Sequence, residues 1–167
     1  MKRVLIILLG LCVALATAQD VWKSVAPAEG KFTAKMPGTP QMSTQTYTEG
    51  KYSVPTTMYV ASRANTNFVL TFSILPKDAP AEFSTNLMTG AKKGFLNSVG
   101  GSAVSDKEGG YNGVKGRLIT FKAPNGAQGV FWMFVKNGRF YTLTIGKKGG
   151  DYAAEQSKFF GSFYSRP

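Results

Sequence analysis

The sequence predicts an α+β protein, a twisted antiparallel sheet of about six to seven strands with helices packed against it, and three observations carry that prediction. Asn137-Gly138 separates the strand-prone runs Val130–Val135 and Phe140–Ile145. From Ala81 to Val99 the apolar residues fall four apart instead of two. Asp151 stands before a second stretch of helical spacing, 152–160. An Asn-Gly pair between two such runs favours a type I′ turn, which sets Lys136 opposite Arg139 and Phe134 opposite Tyr141. One face of this hairpin then carries Val130, Trp132, Phe134, Tyr141, Leu143 and Ile145, and the other Phe131, Met133, Val135, Phe140, Thr142 and Thr144. Both faces are largely apolar, so the hairpin belongs inside the sheet and is covered on each side.

The chain opens with an address. Lys2 and Arg3 precede an uncharged run from Val4 to Leu15, and Ala16-Thr17-Ala18 supplies a small-x-small cleavage pattern. Residues 1–18 read as a signal peptide and 19–167 as one domain. The apolar run is shorter than the roughly 20 residues that span a bilayer, so no transmembrane segment is expected. The mature chain is expected to be exported, periplasmic or extracellular. A rival reading makes Cys12 a lipidated anchor, although Leu11 is bulky where a small residue is wanted. Loss of Lys2 and Arg3 lowers the formal charge from +11 to +9. That balance suits an anionic envelope surface, such as lipid head groups or acidic glycan, and equally suits plain solubility. The compartment argues against nucleic acid.

The mature elements follow in order. Val21–Val25 is a short apolar piece whose Trp22 anchors on the sheet, before Pro27. Lys31–Met36 alternates, with Phe32, Ala34 and Met36 facing in, and Pro37-Gly38 specifies a type II turn. Gln41–Thr48 is Thr/Ser/Gln-rich and reads as an edge strand, ended by Glu49-Gly50. Thr56–Arg63 and Phe68–Leu75 form a second hairpin around Ala64-Asn65-Thr66-Asn67, whose Asn residues tolerate left-handed backbone. Phe83, Leu87, Ala91, Phe95 and Val99 share one side of a helix that starts beside Asp78 or Ala79 and ends at Gly100-Gly101. Gly90 and Gly94 inside it are expected to be close-approach packing residues. Ala103–Lys107 and Val114–Lys122 are strands leading into the central hairpin. Asp151 caps the last helix, which turns Tyr152, Gln156, Phe159 and Phe160 toward the sheet, and Phe163 tucks in the tail. No repeat, low-complexity segment or linker interrupts this order.

Several of these motifs match a known pattern. Phe32-Thr33-Ala34-Lys35-Met36-Pro37-Gly38-Thr39-Pro40 resembles the F-x-x-x-M-P-G-T-P opening of a group of small exported bacterial proteins of uncharacterised role. The turn Asn112-Gly113-Val114-Lys115-Gly116-Arg117, the aromatic hairpin and the Gly146–Phe163 segment extend the resemblance over most of the mature chain. The fold so implied resembles that of PsbP, the extrinsic subunit of photosystem II: an α/β/α sandwich, a twisted antiparallel sheet with helices on both faces. No catalytic residue comes with the resemblance. Nothing matches PsbP's photosystem-binding or metal-associated segments, and that role is not implied.

The chemistry available is narrow. The chain has no histidine, and its one cysteine lies in the leader, which removes the usual general base, thiol nucleophile and zinc ligands. No catalytic residue, metal ligand or cofactor is expected, and the protein is not expected to be an enzyme. Asp106 and Glu108 share a strand face and are weighed, with Asp151, as a carboxylate group, against the simpler reading of solvated acids. Gly146–Asp151 is weighed as an anion cradle, against a strand-to-helix turn with solvated lysines. The candidate anion- or partner-binding residues are Lys31, Lys35, Lys92, Lys93, Lys147 and Lys148. The expectation is a monomeric, non-enzymatic binding or assembly module for another envelope protein or an anionic surface. The alternative is a binder of small apolar ligands, using a cleft between a helix and the sheet.

Overall fold

The structure, a computed structural model, describes residues 21–49 and 51–167. The leader expected over 1–18, Cys12 and Gly50 lie outside the described residues. In chain order the elements are β1 (Trp22–Val25), β2 (Phe32–Pro37), β3 (Gln41–Glu49), β4 (Tyr52–Arg63), β5 (Thr66–Ile74), α1 (Ala81–Ser98), β6 (Ser102–Tyr111), β7 (Val114–Lys122), β8 (Ala127–Lys136), β9 (Arg139–Lys148), α2 (Ala153–Phe160) and β10 (Tyr164–Ser165). Seven strands form one antiparallel sheet in the order β3-β4-β5-β9-β8-β7-β6. A second sheet, β1-β2-β10, holds the Phe32–Met36 strand apart from the first.

The β8–β9 hairpin has the register its turn dictates. Phe134 pairs with Tyr141 and Lys136 with Arg139, across Asn137 and Gly138 at φ 51° and 68°. Strand alternation then sends successive side chains into two separate cores. Trp132, Phe134, Tyr141 and Leu143 cluster with Phe32 and Met36 of β2 and with Phe159 and Phe160 of α2. Phe131, Met133 and Phe140 cluster with Phe83 and Leu87 of α1. Phe163 closes the first core, stacked on Phe32 with ring centroids 5.5 Å apart. Trp22 is the expected anchor, edge-on to Phe68 at 5.4 Å.

Long-range hydrogen bonds hold the second sheet on the first. The buried Tyr141 hydroxyl donates to the Gly30 carbonyl at 2.8 Å, and burial pushes that phenol's pKa upward. The amide of Asn112, in the β6–β7 turn, donates to the carbonyls of Gly161 and Phe163 at 2.8 and 2.9 Å. The Asn-Gly turn thus also fastens the C-terminal segment.

Local details differ from expectation, among them a β4 that starts at Tyr52 and not Thr56, and a short β10 that was not expected. The β4–β5 turn is shorter than expected, because Arg63 pairs with Thr66, and its left-handed residue is Ala64 at φ 50° instead of an asparagine. Pro80 itself is the residue before α1, in extended conformation at ψ 160°, which suits a proline that has no N–H to satisfy. α2 starts at Ala153, one residue late, yet Asp151 still accepts the Ala153 N–H at 3.0 Å. Strand β6 runs to Tyr111, well past Lys107, with a register shift between Ala103 and Ser105.

The two helix glycines part company. A Cβ on Gly90 would stand 3.0 Å from the Tyr47 hydroxyl, so Gly90 is a close-approach residue, against the edge strand. Gly94 is exposed, and a Cβ there would meet nothing within 4 Å. Gly94→Ala is therefore expected to stabilise the protein by up to about 1 kcal/mol in urea titration. No change, or a loss, would mean that Gly94 serves packing after all.

Candidate functional site

The connection from β5 to β6 shapes the site. β5 lies in the middle of the seven-stranded sheet and β6 at its rim, so α1 must cross one face to join them. Its apolar side settles on the half built from β7, β8 and β9: Phe95 stacks on Phe131 at 4.7 Å and meets Phe121 edge-on at 4.8 Å. Near its start the helix also reaches the other half, built from β3, β4 and β5, where Phe83 packs edge-on to Tyr52 at 5.1 Å and clusters with Val54 of β4. Between α1 and that half a cleft of about 430 Å³ remains.

Each wall of the cleft has a different chemistry. The helix wall presents Leu87, Gly90, Ala91, Gly94 and Phe95, and the lack of bulk at Gly94 leaves space open beside it. Phe131, Phe140 and Met58 form apolar sides, and Tyr47 of the edge strand closes over Gly90. The floor is a row of hydroxyls: Thr56, Thr71, Ser73, Thr142 and Thr144. Thr56 and Ser73 share a hydrogen bond of 2.7 Å, as do Thr71 and Thr142. On their other face the same strands supply Leu70, Phe72, Tyr141, Leu143 and Ile145 to the first core. The strands are thus greasy where they meet α2 and hydroxylated where they meet the cleft.

On the far flank of α1 the acids and bases weighed above take up fixed positions. Asp106 accepts from Lys92 Nζ at 2.7 Å and from Arg117 at 2.7 and 2.9 Å. Partial burial pushes the Asp106 carboxyl upward, but these hydrogen bonds outweigh it and hold the group below the usual aspartate range. Glu108 pairs in register with Arg117 and is exposed, while Asp151 sits at the start of α2. These three carboxylates therefore do not converge. Among the described residues no group of three or more Asp, Glu, His or Cys is placed to hold a metal ion.

A depressed folded-state pKa adds stability that is complete above the unfolded value of about 4 and fades as the pH falls through the folded one. Asp106→Asn is accordingly expected to cost about 1 kcal/mol near neutrality, a small figure because Lys92 and Arg117 stay partly in water. That gap should close below about pH 4 in melts run against pH. A gap that stayed constant into acid would show that the carboxylate charge is not what matters.

The six candidate lysines lie in three separate parts of the chain. Lys31, expected inside the strand, stands in the turn before β2 at φ 46°, and Lys35 lies within β2; both are exposed. Lys92 and Lys93 lie on α1, and Lys92 is engaged by Asp106. Lys147 and Lys148 end β9, so the segment read as a loop is strand as far as Lys148. Lys147 donates to Glu155 at 3.0 Å and to the Asp151 carbonyl at 2.6 Å. The hydrogen bond from Lys147 also holds the Glu155 carboxyl below its ordinary range. Sequence reasoning named none of the cleft's hydroxyl residues as a site. The available signal was Thr142 and Thr144 on an otherwise apolar hairpin face.

No protein-family model matches the chain, and no curated protein sequence does. Among solved structures the chain is similar to the solution structure of cyanobacterial PsbP (CyanoP) from Synechocystis sp. PCC 6803. The TM-score is 0.56, and the match covers 94% of this chain and 98% of that one. Identity is 11%, so the likeness is one of fold. The likeness supports the expected PsbP-like fold, here a seven-stranded and a three-stranded antiparallel sheet with two helices. Among the described residues no helix is long and apolar enough to cross a membrane.

Proposed function

We propose that this protein is an exported, non-enzymatic binding module that holds a small, largely apolar ligand in the cleft between α1 and the sheet. The observation that carries the reading is an open space of about 430 Å³ with aromatic sides, on a sheet whose opposite face is closed by packed rings. Ligand sites typically occupy about 300–1,000 Å³ and join apolar walls to a few placed polar groups. The floor hydroxyls are such groups.

The test is a fluorescence titration with N-phenyl-1-naphthylamine, a neutral apolar probe that brightens out of water. Wild type is expected to bind it saturably. Gly94→Phe, whose ring would enter the cleft from a position with free space around it, is expected to weaken binding at least about tenfold. Gly94→Ala should leave it unchanged. Equal binding by wild type and Gly94→Phe would overturn the assignment of the cleft.

A second reading has its own support. The mature chain carries a formal charge of +9 if the leader is removed, and Lys31, Lys35, Lys93 and Lys148 are exposed. Such a surface suits contact with anionic lipid head groups, an acidic glycan or another envelope protein. Binding to acidic vesicles that fell steeply between low and physiological salt would favour it, and salt-independent binding would count against charge as the cause.

A further inference from the structure

The chemistry of the cleft restricts what it accepts. Although the chain carries a formal charge of +11, no Lys, Arg, Asp or Glu lines this space. An ionic ligand would leave water without a counter-charge, an arrangement that is strongly unfavourable in a low-dielectric site. The floor adds a positive requirement. Among the described residues the buried serine and threonine side chains are Thr66, Ser73, Thr142 and Thr144, and the last three all line this cleft, at 1%, 6% and 7% exposure. Each hydroxyl has one hydrogen, and a bond between two hydroxyls uses only one of the pair's two. The Thr71–Thr142 and Thr56–Ser73 pairs therefore each keep one O–H for something that enters the cleft.

We infer that the ligand is an uncharged molecule with an apolar body and an oxygen acceptor, a carbonyl or ether, which takes its hydrogen bond from the Thr71–Thr142 or Thr56–Ser73 pair. This inference rests on the reading of the cleft as a ligand site. A pure hydrocarbon would satisfy the walls and leave the floor donors without partners. A carboxylate would meet the donors but bury a charge with nothing to balance it.

Three probes on one ring frame separate these cases: 2-acetonaphthone, its hydrocarbon analogue 2-ethylnaphthalene, and the anion 2-naphthoate, each displacing N-phenyl-1-naphthylamine. The ketone is expected to displace the probe about tenfold better than either of the others. In Thr71→Val/Thr142→Val, a near-isosteric removal of one pair, the ketone's advantage over the hydrocarbon should shrink to within about threefold while the hydrocarbon binds as before. If naphthoate matches the ketone, or the hydrocarbon does, the ligand class is wrong even though the cleft binds. If the probe binds wild type and Gly94→Phe alike, the site itself fails and the class with it. The wild-type ranking decides the class without the double variant, should that variant fold poorly.

Discussion

Trp132→Ala is expected to lower stability by about 3–5 kcal/mol, a large part of the 5–15 kcal/mol that a domain of this kind possesses. Trp132 is fully buried and joins four other rings: Phe134 at 4.4 Å, Tyr111 at 5.3 Å, Phe160 at 5.7 Å and Phe163 at 6.0 Å. These rings come from β8, β6, α2 and the tail. Truncation therefore opens a hole where four parts of the chain meet, and no single part can collapse to fill it. Trp132→Phe should cost far less, under about 2 kcal/mol. It keeps most of the volume and removes an indole N–H that is buried without a hydrogen-bond partner, itself a destabilising feature. Urea titration of the three proteins decides the point. If the phenylalanine variant lost as much as the alanine variant, the indole would be making an interaction other than packing.

Gly129→Ala is expected to destabilise by about 3 kcal/mol or more although it adds a single methyl group. Gly129 lies in β8 opposite Gly146 of β9 and Phe121 of β7, so it is flanked by hydrogen-bonded strands on both sides. A Cβ there would collide with the carbonyl oxygen of Ile145, and would stand 2.9 Å from the Gly146 Cα. Backbone in the middle of a sheet cannot step aside as a side chain can. Relief would have to separate β8 from β9, which carry the core on both faces. Gly94→Ala is the matched control, the same chemical change made where nothing is in the way. If the two variants had equal stability, the close approach at Gly129 would not be real.

How much of this was legible in the chain depends on the range of the interaction. The Asn137-Gly138 turn fixed its own register because an Asn-Gly pair selects one turn type and strand side chains repeat every two residues, both local properties. The same holds for Phe32, Ala34 and Met36, and for the α1 ring positions. Ala64 was not legible as a left-handed residue, since the two-residue β4–β5 turn forces that conformation on whichever residue stands there. The lysines looked alike in sequence, and only the structure assigned Lys92 to Asp106 and Lys147 to Glu155. The cleft was anticipated as a possibility between a helix and the sheet, without any of its floor residues.

By itself the sequence determined most of the strands and both helices, which faces are apolar, and that the chain has no histidine and a single cysteine. Only the tertiary structure decided that β5 lies beside β9, which brings Thr71 within 2.7 Å of Thr142 although 71 residues separate them. That choice also sent α1 across the face of the sheet and left the cleft between the helix and the β5–β9 pair. The physical reason is that alternation and turn chemistry act over a few residues, whereas the order of strands in a sheet is set by remote backbone pairing and by which faces can be covered together.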